Sequence, residues 1–144
     1  MEEFDVTNRT AIDVRYQETD QMGVVYHGNY LVWFEIGRTK FVNELGLKYT
    51  ELESLGYYSP VIDINIHFKK PLTYGQVATV KTKLNSYNGI RTIYEYEIFD
   101  ERGNLAVTGK STHVVVRKDN FTPVLMRKVY PHWHQAFIDQ VAED

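Results

Sequence analysis

Hydrophobic positions recur with two different periods along this chain, and the switches between them mark out its elements. Over residues 11–16, Ile12, Val14 and Tyr16 alternate with Asp13 and Arg15, the two-residue period of a strand with one buried face. From Asn29 the pattern becomes Tyr30, Leu31, Val32, Trp33, Phe34, Ile36 and Phe41, apolar on nearly every side at first and then amphipathic through Arg38, Lys40, Asn43 and Glu44. That run predicts a long helix whose first half is enclosed, with Asn29 as its N-cap and Gly37 letting it approach another backbone closely. A short helix is expected over 49–55, broken by Gly56. The period then returns to two. Ile62, Ile64, Ile66 and Phe68 share one face of a strand over 61–68, and Asp63, Asn65 and His67 share the other. A strand over 76–87 carries Ala78, Val80 and Leu84 inward, and Asn88-Gly89 predicts a type I′ hairpin into 91–99. A turn at 100–104 leads to a last strand over 105–116, completing a meander of four antiparallel strands. Trp133, Phe137 and Val141, at four-residue steps, predict a closing helix over 131–142.

Strand, long helix, four strands and closing helix pack most economically as an α+β domain with the sheet curled around the first helix. At 144 residues the chain suits a single domain, 1–144. One face of such a sheet still needs cover, so a homo-oligomer built on twofold dimers is expected, either a dimer or a tetramer.

Composition narrows the chemistry. Eleven Tyr and seven Phe exclude a disordered chain and supply ring surface for a ligand or an interface. A net charge of -3 argues against nucleic acid and against broad capture by anionic membrane, while leaving room for a local basic group on one phosphate-bearing ligand. Without cysteine there is no disulfide, thiolate nucleophile or Cys-type zinc site. The acidic start Met-Glu-Glu-Phe-Asp precedes no apolar signal core, and no run is long enough to span a bilayer, so a cytoplasmic protein without stable membrane insertion is expected.

The stretch 19–30, Thr-Asp-Gln-Met-Gly-Val-Val-Tyr-His-Gly-Asn-Tyr, runs from the first strand into the long helix. Asp20 sits where a loop can fold back toward the helix start, whose unpaired N–H groups can polarise a carbonyl. A carboxylate there can attack that carbonyl or deprotonate a water, and equally it can simply cap a turn. His27 at the mouth of the helix and Tyr16 at the strand end have the same two readings, a site or packing. Of the basic residues near strand ends, Lys69, Lys70, Arg91, Lys110, Arg117 and Lys118, some could hold carrier phosphates, or all could form a solvated rim. His132-Trp133-His134 puts its imidazoles on different helical faces, which favours exposure to solvent over metal binding. No P-loop, dinucleotide fingerprint or G-x-S-x-G elbow is present.

The combined pattern Tyr16-Gln-Glu-Thr-Asp20-Gln-Met-Gly23-Val-Val-Tyr-His27-Gly-Asn29-Tyr30, followed by the aromatic helix, resembles the hotdog-fold acyl-CoA thioesterases, in the branch of 4-hydroxybenzoyl-CoA thioesterase and its YbgC-like relatives. The resemblance implies an antiparallel sheet wrapped around a long central helix, edge-to-edge dimers often paired into tetramers, and active sites at the subunit interface. It implies Asp20 as the catalytic carboxylate, the His27 backbone N–H as carbonyl donor, and the Tyr16 and His27 side chains as further active-site groups. An acyl-CoA substrate would then lie against Gly23, Val25, Tyr26 and Tyr30, with Lys69 and Arg91 toward its nucleotide. The basic residue that many relatives carry within the hairpin comes slightly later here, at Arg91. No metal or redox cofactor is expected, coenzyme A being part of the substrate. Two rival readings stay open: a hydroxyacyl-thioester dehydratase, for which Glu35 is the early helical acid, and a non-catalytic acyl-CoA-binding module.

Overall fold

The computed structural model describes residues 8–142. In chain order these form β1 (Asn8–Asp13), a single 3-10 turn (Tyr16–Glu18), α1 (Asn29–Glu44), α2 (Tyr49–Ser54), β2 (Tyr57–Tyr58), β3 (Val61–Phe68), β4 (Val77–Tyr87), β5 (Arg91–Phe99), β6 (Leu105–Val114), β7 (Val116–Arg117), α3 (Met126–Val129) and α4 (Pro131–Ala142). Five strands make one antiparallel sheet in the order β1-β4-β5-β6-β3, and β2 pairs with β7 beside it. The sheet is curled around α1 as expected, but β3 is not part of a four-strand meander. It crosses to the far edge and pairs with β6, Ile64 opposite Ser111 and Phe68 opposite Val107.

Alternation decides which side of each strand is buried. Ala78, Val80 and Leu84 of β4, Tyr94, Tyr96 and Ile98 of β5 and Val107 of β6 meet Trp33, Phe34, Phe41 and Val42 of α1 in one core. Two glycines set the closeness of that packing. A Cβ on Gly37 would collide with the Thr82 side chain and lie 3.0 Å from Val80, so the axis of α1 approaches β4 only because that Cβ is missing. Gly109 leaves room for the Phe34 ring, which would lie 2.6 Å from a Cβ there and stacks on Tyr96 with centroids 4.1 Å apart. Most polar groups inside this core are paired, Tyr49 with Tyr94, and Tyr96 through Ser111 Oγ to His113 Nε2 at 2.6 and 2.8 Å, while the buried Thr82 hydroxyl beside Gly37 has no partner among the described residues.

Several boundaries differ from the sequence reading. The first strand is described at Asn8–Asp13 rather than 11–16, because its register with β4 runs from Asn8 opposite Thr82 to Asp13 opposite Val77 and the chain turns after Val14. Tyr16 therefore falls in the 3-10 turn and is exposed. Gly28, not Asn29, is the N-cap of α1, and the Asn29 side chain donates instead to the Glu18 carbonyl at 2.8 Å. The β4–β5 turn is centred on Gly89-Ile90 rather than Asn88-Gly89. Gly89 alone has positive φ (+92°), the signature of type II′ rather than I′, and Asn88 Oδ1 accepts the N–H groups of Ile90 and Arg91 across it. The last long strand ends at Val114, and α3 was not foreseen. Trp133 and Phe137 of α4 close the core as predicted, whereas His134 is not solvent-exposed: its Nδ1 bonds Tyr87 Oη at 2.7 Å and ties the helix to β4. The enclosure predicted for the first half of α1 is also incomplete, since Leu31, Val32 and Ile36 are exposed. On β3, Ile62 sits at a bulge, and Ile62, Ile64 and Phe68 are exposed as well.

Candidate active site

The segment between β1 and α1 is folded by its own polar groups. Arg15 N–H donates to Glu18 Oε1 at 2.8 Å and closes the 3-10 turn, after which Thr19 and Val25 bridge as an antiparallel pair. Inside that pair the chain reverses over Asp20-Gln21-Met22-Gly23: Gly23 N–H donates to the Asp20 carbonyl at 3.0 Å and Asp20 N–H to the Val24 carbonyl at 2.9 Å. Asp20 Oδ1 accepts the Met22 N–H at 2.8 Å. Asp20 thus does cap a turn, and that role occupies one oxygen. Among the described residues, Oδ2 has no hydrogen-bond partner in the chain.

This carboxylate lines a cleft of about 310 Å³ whose other walls are Met22, Val24, Val25, His27, Tyr30, Phe68, Lys69, Lys70 and Pro71. The floor is apolar, and among the described residues the two lysines form the cationic stretch of the lining. Tyr30 is buried, and that burial raises its phenol above the ordinary value, an effect partly offset by a hydrogen bond with the Leu72 backbone. Its hydroxyl therefore stays protonated and can donate.

The helix start contributes His27 and Tyr30 to the same lining. Tyr26 N–H donates to the Glu18 carbonyl and Asn29 N–H to the Tyr26 carbonyl, both at 2.9 Å. Between them, among the described residues, the N–H groups of His27 and Gly28 have no acceptor within the chain. Two adjacent unsatisfied donors at the positive end of a sixteen-residue helix are suited to an oxygen that gains negative charge during reaction. A carboxylate with one free oxygen, in one apolar cleft with the residue that opens this helix start, can do acyl-transfer chemistry.

Of the nine residues that the resemblance assigns to the site, the fold brings together Asp20, Val25, His27, Tyr30 and Lys69, and Lys70 joins them from the basic residues considered beside it. The remaining four are not among those lining the cleft. Tyr16 is turned to the surface, its ring edge-on to Tyr74 with centroids 5.8 Å apart. Gly23 supplies the positive φ (+82°) of the Asp20 turn, and the Tyr26 ring lies tilted against the His27 ring with centroids 4.4 Å apart. Arg91 opens β5 next to the hairpin turn. Glu35 is exposed on α1 and also lies outside the lining. The sequence reading missed Phe68 and Pro71, which reach the cleft only because β3 ends there, and it missed Glu18. This carboxylate is buried and bonded to the Trp33 indole at 2.9 Å. Burial pushes its pKa up, but the Trp33 and Arg15 hydrogen bonds and the Arg15 charge outweigh that and leave it below the ordinary 4.5. Its spacing, three residues after Arg15, is that of a capping box and was the available signal.

Comparison with known proteins points the same way. Residues 14–133 match the family described as the thioesterase-like superfamily. The chain is 49% identical over 130 residues to YneP of Bacillus subtilis (strain 168), provisionally named an acyl-CoA thioesterase, covering 90% of this chain and 94% of that one. It is 29% identical over 86 residues to the acyl-CoA thioesterase YbgC of Helicobacter pylori (strain 26695), covering 60% of this chain and 62% of that one. The crystal structure of a DHNA-CoA thioesterase from Staphylococcus aureus superposes with a TM-score of 0.93 at 41% identity, covering 94% of this chain and 91% of that one.

Proposed function

Because this chain belongs to the thioesterase-like superfamily and is a hotdog-fold thioester hydrolase, we propose that it cleaves acyl-CoA thioesters to the free acid and coenzyme A at the Asp20 cleft. The observation that carries this reading is the free Oδ2 of Asp20 in one cleft with His27, whose N–H, like that of the adjacent Gly28, has no acceptor among the described residues. The thioester oxygen accepts from the His27 N–H, which polarises the carbonyl carbon and stabilises the tetrahedral oxyanion. Asp20 then either attacks that carbon, expelling the thiolate and leaving an anhydride for water to open, or takes a proton from an attacking water. Neither route calls on a metal or a redox group. Val25, Tyr30 and Phe68 support an apolar acyl group, and Lys69 with Lys70 supports carrier phosphates at the rim.

Thiol release from a panel of aliphatic and aromatic acyl-CoAs tests the activity, and the Staphylococcus aureus relative makes DHNA-CoA a necessary member of the panel. At least one substrate is expected to reach a kcat/KM of about 10⁴ M⁻¹s⁻¹ or more. No thiol above an Asp20→Asn control would establish the binding-module reading. An enoyl product without thiol, from a 3-hydroxyacyl substrate, would establish the dehydratase reading.

The active form in this proposal is a homo-oligomer. Leu31, Val32 and Ile36 of α1 and Ile62, Ile64 and Phe68 of β3 are exposed in the chain, and among the described residues β3 has a strand partner on one side only. Pairing this edge with a second copy covers the apolar residues and brings that copy to Phe68, at the cleft. Ile64→Glu is expected to shift the mass measured by light scattering from that of an oligomer to that of one chain and to lower activity in parallel. An unchanged mass would place the interface elsewhere.

A further inference from the structure

Glu18 carries a charge into the protein interior, which is costly unless every oxygen is bonded. Here both are. Oε1 accepts the Arg15 N–H at 2.8 Å, and Oε2 accepts the Trp33 Nε1–H at 2.9 Å and the Arg15 guanidinium at 3.4 Å. The backbone carbonyl of the same residue accepts the Tyr26 N–H at 2.9 Å and the Asn29 side-chain amide at 2.8 Å. Residues 19–28 therefore leave Glu18 and return to it. Asp20 lies just after the first attachment and His27 just after the second. Packing alone would be met by an apolar side chain against Trp33; a carboxylate adds direction, fixing the start of this loop relative to the second turn of α1.

We propose that Glu18 is a positioning residue for hydrolysis, clasping the loop so that the Asp20 carboxylate and the His27 and Gly28 N–H groups keep fixed relative positions. The proposal rests on the reading of Asp20 given above. Glu18 touches no reacting atom; it acts through the placement of groups that do. Loss of the clasp lets these groups shift independently, and a displacement of about 1 Å in such a constellation costs up to about 100-fold in rate.

Steady-state kinetics of Glu18→Ala, Glu18→Gln, Trp33→Phe and Asp20→Asn test this, each at a temperature where circular dichroism shows the protein folded. Glu18→Ala is expected to lower kcat about tenfold or more while KM stays within about twofold, because ground-state binding survives and transition-state geometry does not. Glu18→Gln keeps one acceptor oxygen and should recover part of the loss. Trp33→Phe keeps an aromatic ring in the core and removes the indole donor together with part of the ring volume, so its cost in stability is read from its melting temperature, and it carries the test if Glu18→Ala does not fold, with the same split between kcat and KM expected. Parental kcat in Trp33→Phe and in folded Glu18→Ala, with only a lower melting temperature, would overturn the proposal while Asp20→Asn remained inactive. An active Asp20→Asn would instead refute the reading of Asp20, and the positioning role with it.

Discussion

Asp20→Asn is expected to lower kcat by about 10³-fold, the scale on which enzymes depend on a positioned acid, base or nucleophile. The substitution is a clean one. Asn retains an Oδ1 that can accept the Met22 N–H, so the turn that presents the side chain is preserved, while the free Oδ2 becomes an amide nitrogen that can neither attack a carbonyl nor accept a proton from water. The melting temperature should stay near the parental value. Thiol release by the folded variant at the parental rate would remove Asp20 from the mechanism. With the parent enzyme, a single turnover in oxygen-labelled water distinguishes the two routes: label in the Asp20 carboxylate marks an anhydride, and label confined to the released acid fits general-base activation of water.

The second large effect concerns stability. His113 is buried, bonded through Nε2 to Ser111 Oγ, and its pKa is pushed down to about 4 from 6.5, by burial first and by the positive charge of Arg38 next, against a weaker opposing bond to the Ser59 carbonyl. A histidine with a depressed folded pKa is stabilising when neutral. Its contribution is complete above 6.5, is lost as the pH falls from 6.5 toward about 4 because only the unfolded chain takes up the proton, and is gone below that. The full difference amounts to about 3 kcal/mol, of which about 2 kcal/mol should disappear between about pH 7 and pH 5. Urea titrations at those two pH values measure it. Glu18, held below 4.5, loses its own contribution only at more acid pH, so the upper window belongs to His113. His113→Gln should flatten the slope in that window, and an unchanged slope would show that the proton goes elsewhere.

Much of this architecture was legible because it is local. The period of two in β4 and β5 and the aromatic run of α1 place these elements to within a residue or two, since alternation and helical spacing are consequences of backbone geometry that no distant contact alters. The pairing of β3 was not legible. Its alternating isoleucines suit any sheet position, and only closure of the sheet around α1 sends it past β4 and β5 to the edge of β6. The hairpin turn was read one residue early, because the Asn88 side chain caps the turn from outside rather than occupying its centre.

The site divides along the same line. By itself the sequence determined that a carboxylate, Asp20, would stand in a loop running into the start of a long apolar helix, because the residues concerned are neighbours and their conformations follow from local rules. Whether Tyr16 and Arg91 would join that site was a question of direction at a turn and of distance across a sheet, and the tertiary structure leaves both outside the cleft lining. The tertiary structure also turned Glu18, an unremarked acid in an exposed-looking stretch, into the buried clasp between loop and helix. A carboxylate is buried only where donors converge on it, and the Trp33 donor lies fifteen residues further along the chain.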